Sequence, residues 1–202
     1  MKRIGTALIF VFGLAFLGVA VHGEDNGSRD REDSRVALGL QLSPVPLHLT
    51  RENRDLVGLG SYIVNAQAGC NDCHTCPSYA VDPYQTGKRQ GAVNATNFLA
   101  GGVAFNTPAG AFVSPNLTPD PAQDNLPDGG HTFEQFKSMM RTGHDADPPH
   151  DILQVMPWPI YGNMSDHDLR AVYAYLQAIP HAKPGNFLGS TCPAPGVAKP
   201  PV

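Results

Sequence analysis

Residues 68–78 read AGCNDCHTCPS and hold three of the chain's four cysteines, Cys70, Cys73 and Cys76, with His74 directly after the second of them. Each chemistry that uses such a cluster dictates what the rest of the chain must supply. Cys-x-x-Cys-His is the attachment pattern of a c-type haem: each thiol adds to one vinyl group, and the histidine lies beneath the iron. Cys-x-x-Cys-x-x-Cys opens an iron–sulfur ligand set, and Cys192-Pro193 supplies a remote Cys-Pro. Cys-x-x-Cys alone serves redox dithiols and half of a zinc site. Zinc wants its ligands in paired spacing, and the sequence has no second pair. A thioredoxin-like dithiol wants a βαβ setting, whereas the residues before Cys70 have a helical period. The iron–sulfur scheme leaves His74 without a role.

The rest of the composition narrows the choice. Twenty-one glycines and 19 prolines in 202 residues are well above average usage and predict short helices joined by many turns. Charged residues make up 16% with no basic stripe, so nucleic acid is excluded as a partner. Lys2 and Arg3 precede an apolar run over residues 4–21, and Val21-His22-Gly23 suits a signal peptidase. Residues 1–23 therefore read as a secretory signal peptide for the general export route, since no twin arginine is present. Uncleaved, the same run is a membrane anchor. Export places the cysteines in an oxidising compartment, and an iron–sulfur protein would have to build its cluster there.

Residues 24–35 are a mixed-charge run with almost nothing apolar. They read as a disordered tail or spacer, and residues 36–54, which contain Ser43-Pro44-Val45-Pro46, as an extended lead-in, so that 24–54 form a charged, extended N-terminal segment. Residues 183–202 are rich in Pro, Gly and Ala and form a strap. Between them, residues 55–182 carry three helical patterns. In the first, residues 55–68, Leu59, Tyr62, Ile63 and Ala66 fall on one face. The second has Thr132 and Gln135 as a capping box and Gly143 as a stop. The third has Ser165 as N-cap, Asp166 and Asp168 at its positive end, and Pro180 beyond its last turn. Apolar runs flanking Thr107-Pro108-Ala109-Gly110 suit a small hairpin. So long a loop between the first two helices needs something to wrap around.

A haem iron has two axial positions, and electron transfer favours a second strong ligand, often methionine. Met139 and Met140 lie on the second helix and read as core; Met164 packs near the start of the third. Met156 stands in LQVMPWPIYG, where Pro157 and Pro159 stiffen the loop.

Together, GLGSYIVNAQAGCNDCH, FLAGG, SPNLTPD, FEQFKSMMRTGHD and MPWPIYGNMSDHDLRAVYAYLQAIP resemble a class I mono-haem cytochrome c. The likeness is to the haem domains that serve as cytochrome subunits of periplasmic alcohol and sugar-acid dehydrogenases, and it covers residues 55–180. It implies a mainly α fold, three to four helices around one covalently bound haem c. Cys70 and Cys73 would carry the haem, with His74 as proximal and Met156 as distal ligand. Gly58, Gly60 and Tyr62 would face residues 173–176, and Asn116 would lie near the propionates. Leu99, Phe105, Phe112, Ile152, Val155, Trp158 and Tyr161 are candidates to surround the ring, with Tyr62 and Pro157 beside it. Many family members have a Gly-Pro loop soon after the motif whose proline carbonyl receives the histidine's hydrogen bond. Pro77 does not fit that pattern, so the acceptor for His74 is unassigned. Cys76 and Cys192 are not needed for attachment; in an oxidising compartment they are expected to pair as a disulfide.

The implied function is a periplasmic one-electron carrier and not an enzyme. It would work between a dehydrogenase donor and an oxidase or another cytochrome as acceptor, with membrane attachment only if the leader is retained. One alternative is a haem enzyme or gas sensor with a displaceable Met156, using His144 or His150. The other is an iron–sulfur protein built on Cys70, Cys73, Cys76 and Cys192.

Overall fold

The structure is a computed structural model and describes residues 24–81, 83–87, 93–147, 152–185 and 192–193. The expected signal peptide and most of the strap lie outside these residues, as does His150. Helix α1 spans Glu24–Leu42. Helix α2, Arg54–Tyr62, runs on as a π-helical turn over Ile63–Ala68. The motif forms α3, Cys70–His74, and Pro83–Thr86 a single-turn α4. Strands β1, Val103–Thr107, and β2, Gly110–Val113, follow. Helices α5, Phe133–Thr142, α6, Trp158–Tyr161, and α7, Asp166–Ala178, complete the helical set. The last element is the two-residue strand β3, Cys192–Pro193. The fold is mainly α. No helix among the described residues is long and apolar enough to cross a membrane.

The helices begin and end for local reasons. The Thr132 hydroxyl accepts the Gln135 N–H while the Gln135 side chain accepts the Thr132 N–H at 2.9 Å, a complete capping box. Gly143 ends α5 with φ 72°, a value that favours glycine. The Ser165 hydroxyl accepts the Asp168 N–H at 3.0 Å to start α7. That helix stops at Ala178 because Ile179 is extended before Pro180.

Helix α2 lies between α1 and α7. A Cβ on Gly60 would stand 1.9 Å from the Ala171 carbonyl oxygen, so α2 crosses α7 at backbone contact. Gly58 faces the other way, against Val36 and Leu40 of α1, and not α7 as the sequence suggested. Leu59, Leu169 and Leu176 are fully buried around this crossing, each contributing roughly 1.5–3 kcal/mol. Phe136, Met139 and Met140 of α5 join the same core, which bears out the packing role expected for both methionines.

The N-terminal segment departs from expectation. Residues 24–42 were expected to be extended and form α1 instead. The docking surface explains why: Val36 is buried, and a Cβ on Gly39 would meet the Gly58 carbonyl oxygen. A glycine contact leaves no apolar stripe in the sequence. Residues 43–53 are non-helical, and the His48 N–H donates to the Ala178 carbonyl at 2.8 Å.

The hairpin forms where the sequence placed it, with Phe105 opposite Phe112. Strand β3 pairs parallel with β1, and its Cys192 is bonded to Cys76, Cα to Cα 5.4 Å. That bridge has Val103 and Phe105 packed around it as a second small core.

Candidate haem attachment site

Gly69, left-handed at φ 64°, turns the chain out of the π-helical segment and into α3. Positions i, i+3 and i+4 share one helix face, so a single turn presents Cys70, Cys73 and His74 together. Both cysteines are free and half-buried. Burial pushes the Cys70 thiol up to about 12; burial and Asp72 raise Cys73 as well. At neutral pH both stay as thiols. The disulfide meanwhile occupies Cys76 and Cys192, which removes half of the ligand set that the iron–sulfur alternative requires.

His74 is buried, and its Nδ1 lies 3.1 Å from the Pro115 carbonyl oxygen. A carbonyl only accepts, so the proton sits on Nδ1 and the Nε2 lone pair is left for a metal. Burial lowers the pKa of the ring, against the opposing pull of the Pro115 hydrogen bond and Asp128, which keeps the imidazole neutral.

The sequence left this acceptor unassigned, and the fold supplies it from far along the chain. The Gly101 N–H donates to the His74 carbonyl at 2.7 Å, and the Leu99 N–H to the Thr75 hydroxyl at 2.9 Å. The turn so fixed binds the next segment, the Leu117 N–H donating to the Leu99 carbonyl at 2.8 Å. A Cβ on Gly101, φ 74°, would stand 2.5 Å from the carbonyl oxygens of Ser114 and Pro115. Only glycine lets that backbone come close to the histidine.

Met156 is half-buried against the main core. Its loop is held at two points. The Tyr161 hydroxyl donates to the Ala68 carbonyl at 2.7 Å, tying α6 to the residues just before the motif. The Trp158 indole lies where a Gly143 Cβ would be, and the Leu153 N–H donates to the Gly143 carbonyl at 2.8 Å. Burial pushes the Tyr161 hydroxyl up to about 12.

The remaining expected contacts are dispersed. Tyr62 is half-buried at the end of α2, and Pro157 is the exposed N-cap of α6. Leu99 is in the main core. Phe105 belongs to the disulfide cluster, with Phe112 across the hairpin from it. Ile152 is exposed. Asn116 is engaged within the chain: its amide donates to the Ala182 carbonyl at 2.9 Å and its oxygen accepts from the N–H and hydroxyl of Thr118. His144 is exposed on the loop after α5.

Two free neutral thiols on one helical turn and an imidazole that keeps its Nε2 lone pair are the groups that covalent haem attachment uses. No protein-family model matches the chain. It is 32% identical over 124 residues to the fructose dehydrogenase cytochrome subunit of Gluconobacter japonicus, covering 61% of this chain and 21% of that one. It is 30% identical over 158 residues to the cytochrome c subunit of the quinone-type alcohol dehydrogenase of Gluconobacter oxydans, covering 74% and 28%. It is also 32% identical over 135 residues to the gluconate 2-dehydrogenase cytochrome c subunit of Pantoea cypripedii, covering 67% and 26%. The chain thus spans under a third of the length of each of these relatives.

Proposed function

We propose that this chain is a class I c-type cytochrome that binds one haem and passes single electrons from a dehydrogenase to a respiratory acceptor in the periplasm. The observation that carries the reading is the His74–Pro115 hydrogen bond beside two unpaired thiols on one face of one helical turn. The relatives are cytochrome subunits of dehydrogenases, which supports electron transfer beside such an enzyme. One Cys-x-x-Cys-His motif in the sequence supports one haem.

The haem supplies a one-electron change at iron. Cys70 and Cys73 would anchor it through thioethers, and His74 Nε2 and the Met156 sulfur would be its iron ligands. The Pro115 carbonyl fixes the imidazole's orientation and raises its basicity as a ligand. With both iron ligands drawn from protein, the haem would offer no site to substrate or gas. The neutral thioether of Met156 would favour reduced iron and keep the potential on the high side of the haem range.

The test is the optical spectrum of the exported protein, matured with the haem-attachment machinery and recorded oxidised, reduced, and reduced under carbon monoxide. Low-spin bands in both states, unchanged by carbon monoxide, are expected. A high-spin haem that binds carbon monoxide would overturn the carrier reading in favour of an enzyme or sensor.

A further inference from the structure

His131 is not a residue of the attachment motif, although Asp128 acts on both it and His74. It is 8% exposed, and neither ring nitrogen has a hydrogen-bond partner among the described residues. An imidazole buried with both nitrogens unsatisfied is costly. What surrounds it is acidic. Its Nε2 lies 3.6 Å from an Asp147 carboxylate oxygen, and Asp145 offers another, all three atoms within 4.8 Å of one another. On the other side, Nδ1 lies 3.6 Å from Asp128, whose carboxylate is largely buried.

A separation of 3.6 Å is too long for a hydrogen bond. It suits two ligands of one cation: tetrahedral zinc, with bonds near 2.0–2.2 Å, sets its ligand atoms about 3.4 Å apart. We propose that His131 Nε2 and the carboxylates of Asp145 and Asp147 form a divalent cation site of the zinc class. One imidazole with two carboxylates is a mixed nitrogen and oxygen set, which suits zinc better than calcium. Asp128 stands where an orienting carboxylate belongs, behind the ligand histidine at Nδ1. The Asp147 N–H donates to an Asp145 carboxylate oxygen at 3.0 Å, which holds the Asp145 side chain beside Asp147. Asp147 is 74% exposed, so the fourth position opens to water.

The site joins the turn before α5 to the loop after it. A cation there cross-links the two ends of that helix, upstream of the segment that leads to Met156. The clamp is separate from the haem proposal and does not depend on it.

Isothermal titration of ZnCl2 into the full-length mature protein, stripped with EDTA and then freed of chelator, tests the site. One equivalent should bind with a micromolar or tighter Kd and raise the melting temperature. Asp147→Asn changes an exposed side chain and should keep the fold, checked by an unchanged optical spectrum. It should weaken binding at least ten-fold and abolish the melting shift. Asp128→Asn should weaken binding ten- to a hundred-fold. Absence of zinc binding by the wild type would overturn the site and leave a protonated His131 held between carboxylates. Equal binding by wild type, Asp147→Asn and His131→Gln would overturn it too, as adventitious binding elsewhere.

Discussion

Pro115 supports the histidine through a carbonyl 41 positions downstream, and this contact defines what single residues contribute here. The motif itself was legible because Cys70, Cys73 and His74 are contiguous and share a helix face. The Pro115 partnership was not, because it depends on two loops crossing at Gly101, and nothing in SPN marks a carbonyl as an acceptor. Met156 was singled out by its stiff loop, and the structure ties that loop to Ala68 and Gly143. Replacing Met156 with Ala should abolish the weak long-wavelength band of ferric iron–methionine bonding, lower the reduction potential and open the iron to carbon monoxide. Optical titration of the variant against the wild type checks this; an unchanged band would mean that another group is the distal ligand.

At the scale of elements, caps were readable and contacts between glycines were not. Thr132, Gln135, Gly143 and Ser165 do what their types and positions imply. Helix α1 was missed because its seat on α2 is made by Gly39 and Gly58, residues that weaken a helical pattern even as they permit close packing. Two substitutions separate these effects. Gly60→Ala drives a methyl into the Ala171 carbonyl and should destabilise the protein by about 1–3 kcal/mol or more. Gly27→Ala, in α1 with nothing within 4 Å of the new methyl, should stabilise by ~0.5–1 kcal/mol or be neutral. Guanidinium unfolding of both variants checks the pair. A neutral Gly60→Ala would mean that α2 and α7 are not in backbone contact.

Across the whole molecule, a Gly- and Pro-rich chain is tied end to end: the His48 N–H reaches the Ala178 carbonyl, Ser43 and Tyr175 share a hydroxyl–hydroxyl hydrogen bond at 3.1 Å, and the disulfide adds a covalent link. Cys76 and Cys192 are 116 residues apart. Closing so large a loop is worth about 4–5 kcal/mol in the chain-entropy view, often less in practice. Side chains hold the approach to it: the Asn97 amide donates to the Lys183 carbonyl at 2.9 Å, and His181 Nδ1 lies 2.7 Å from the Pro119 carbonyl oxygen. The double variant Cys76→Ala, Cys192→Ala should lose up to that amount in denaturant unfolding while keeping the wild-type spectrum. Equal stability would mean that the disulfide contributes nothing. The pairing is legible in the sequence because haem attachment leaves these two cysteines over in an oxidising compartment.

The haem proposed on Cys70 and Cys73 can be read from the intact mass of the exported protein under denaturing conditions. The expected mass is that of the mature polypeptide plus one haem, reduced to the polypeptide alone when both cysteines are changed to alanine. A wild-type mass without haem, from cells whose attachment machinery matures another c-type cytochrome, would contradict it.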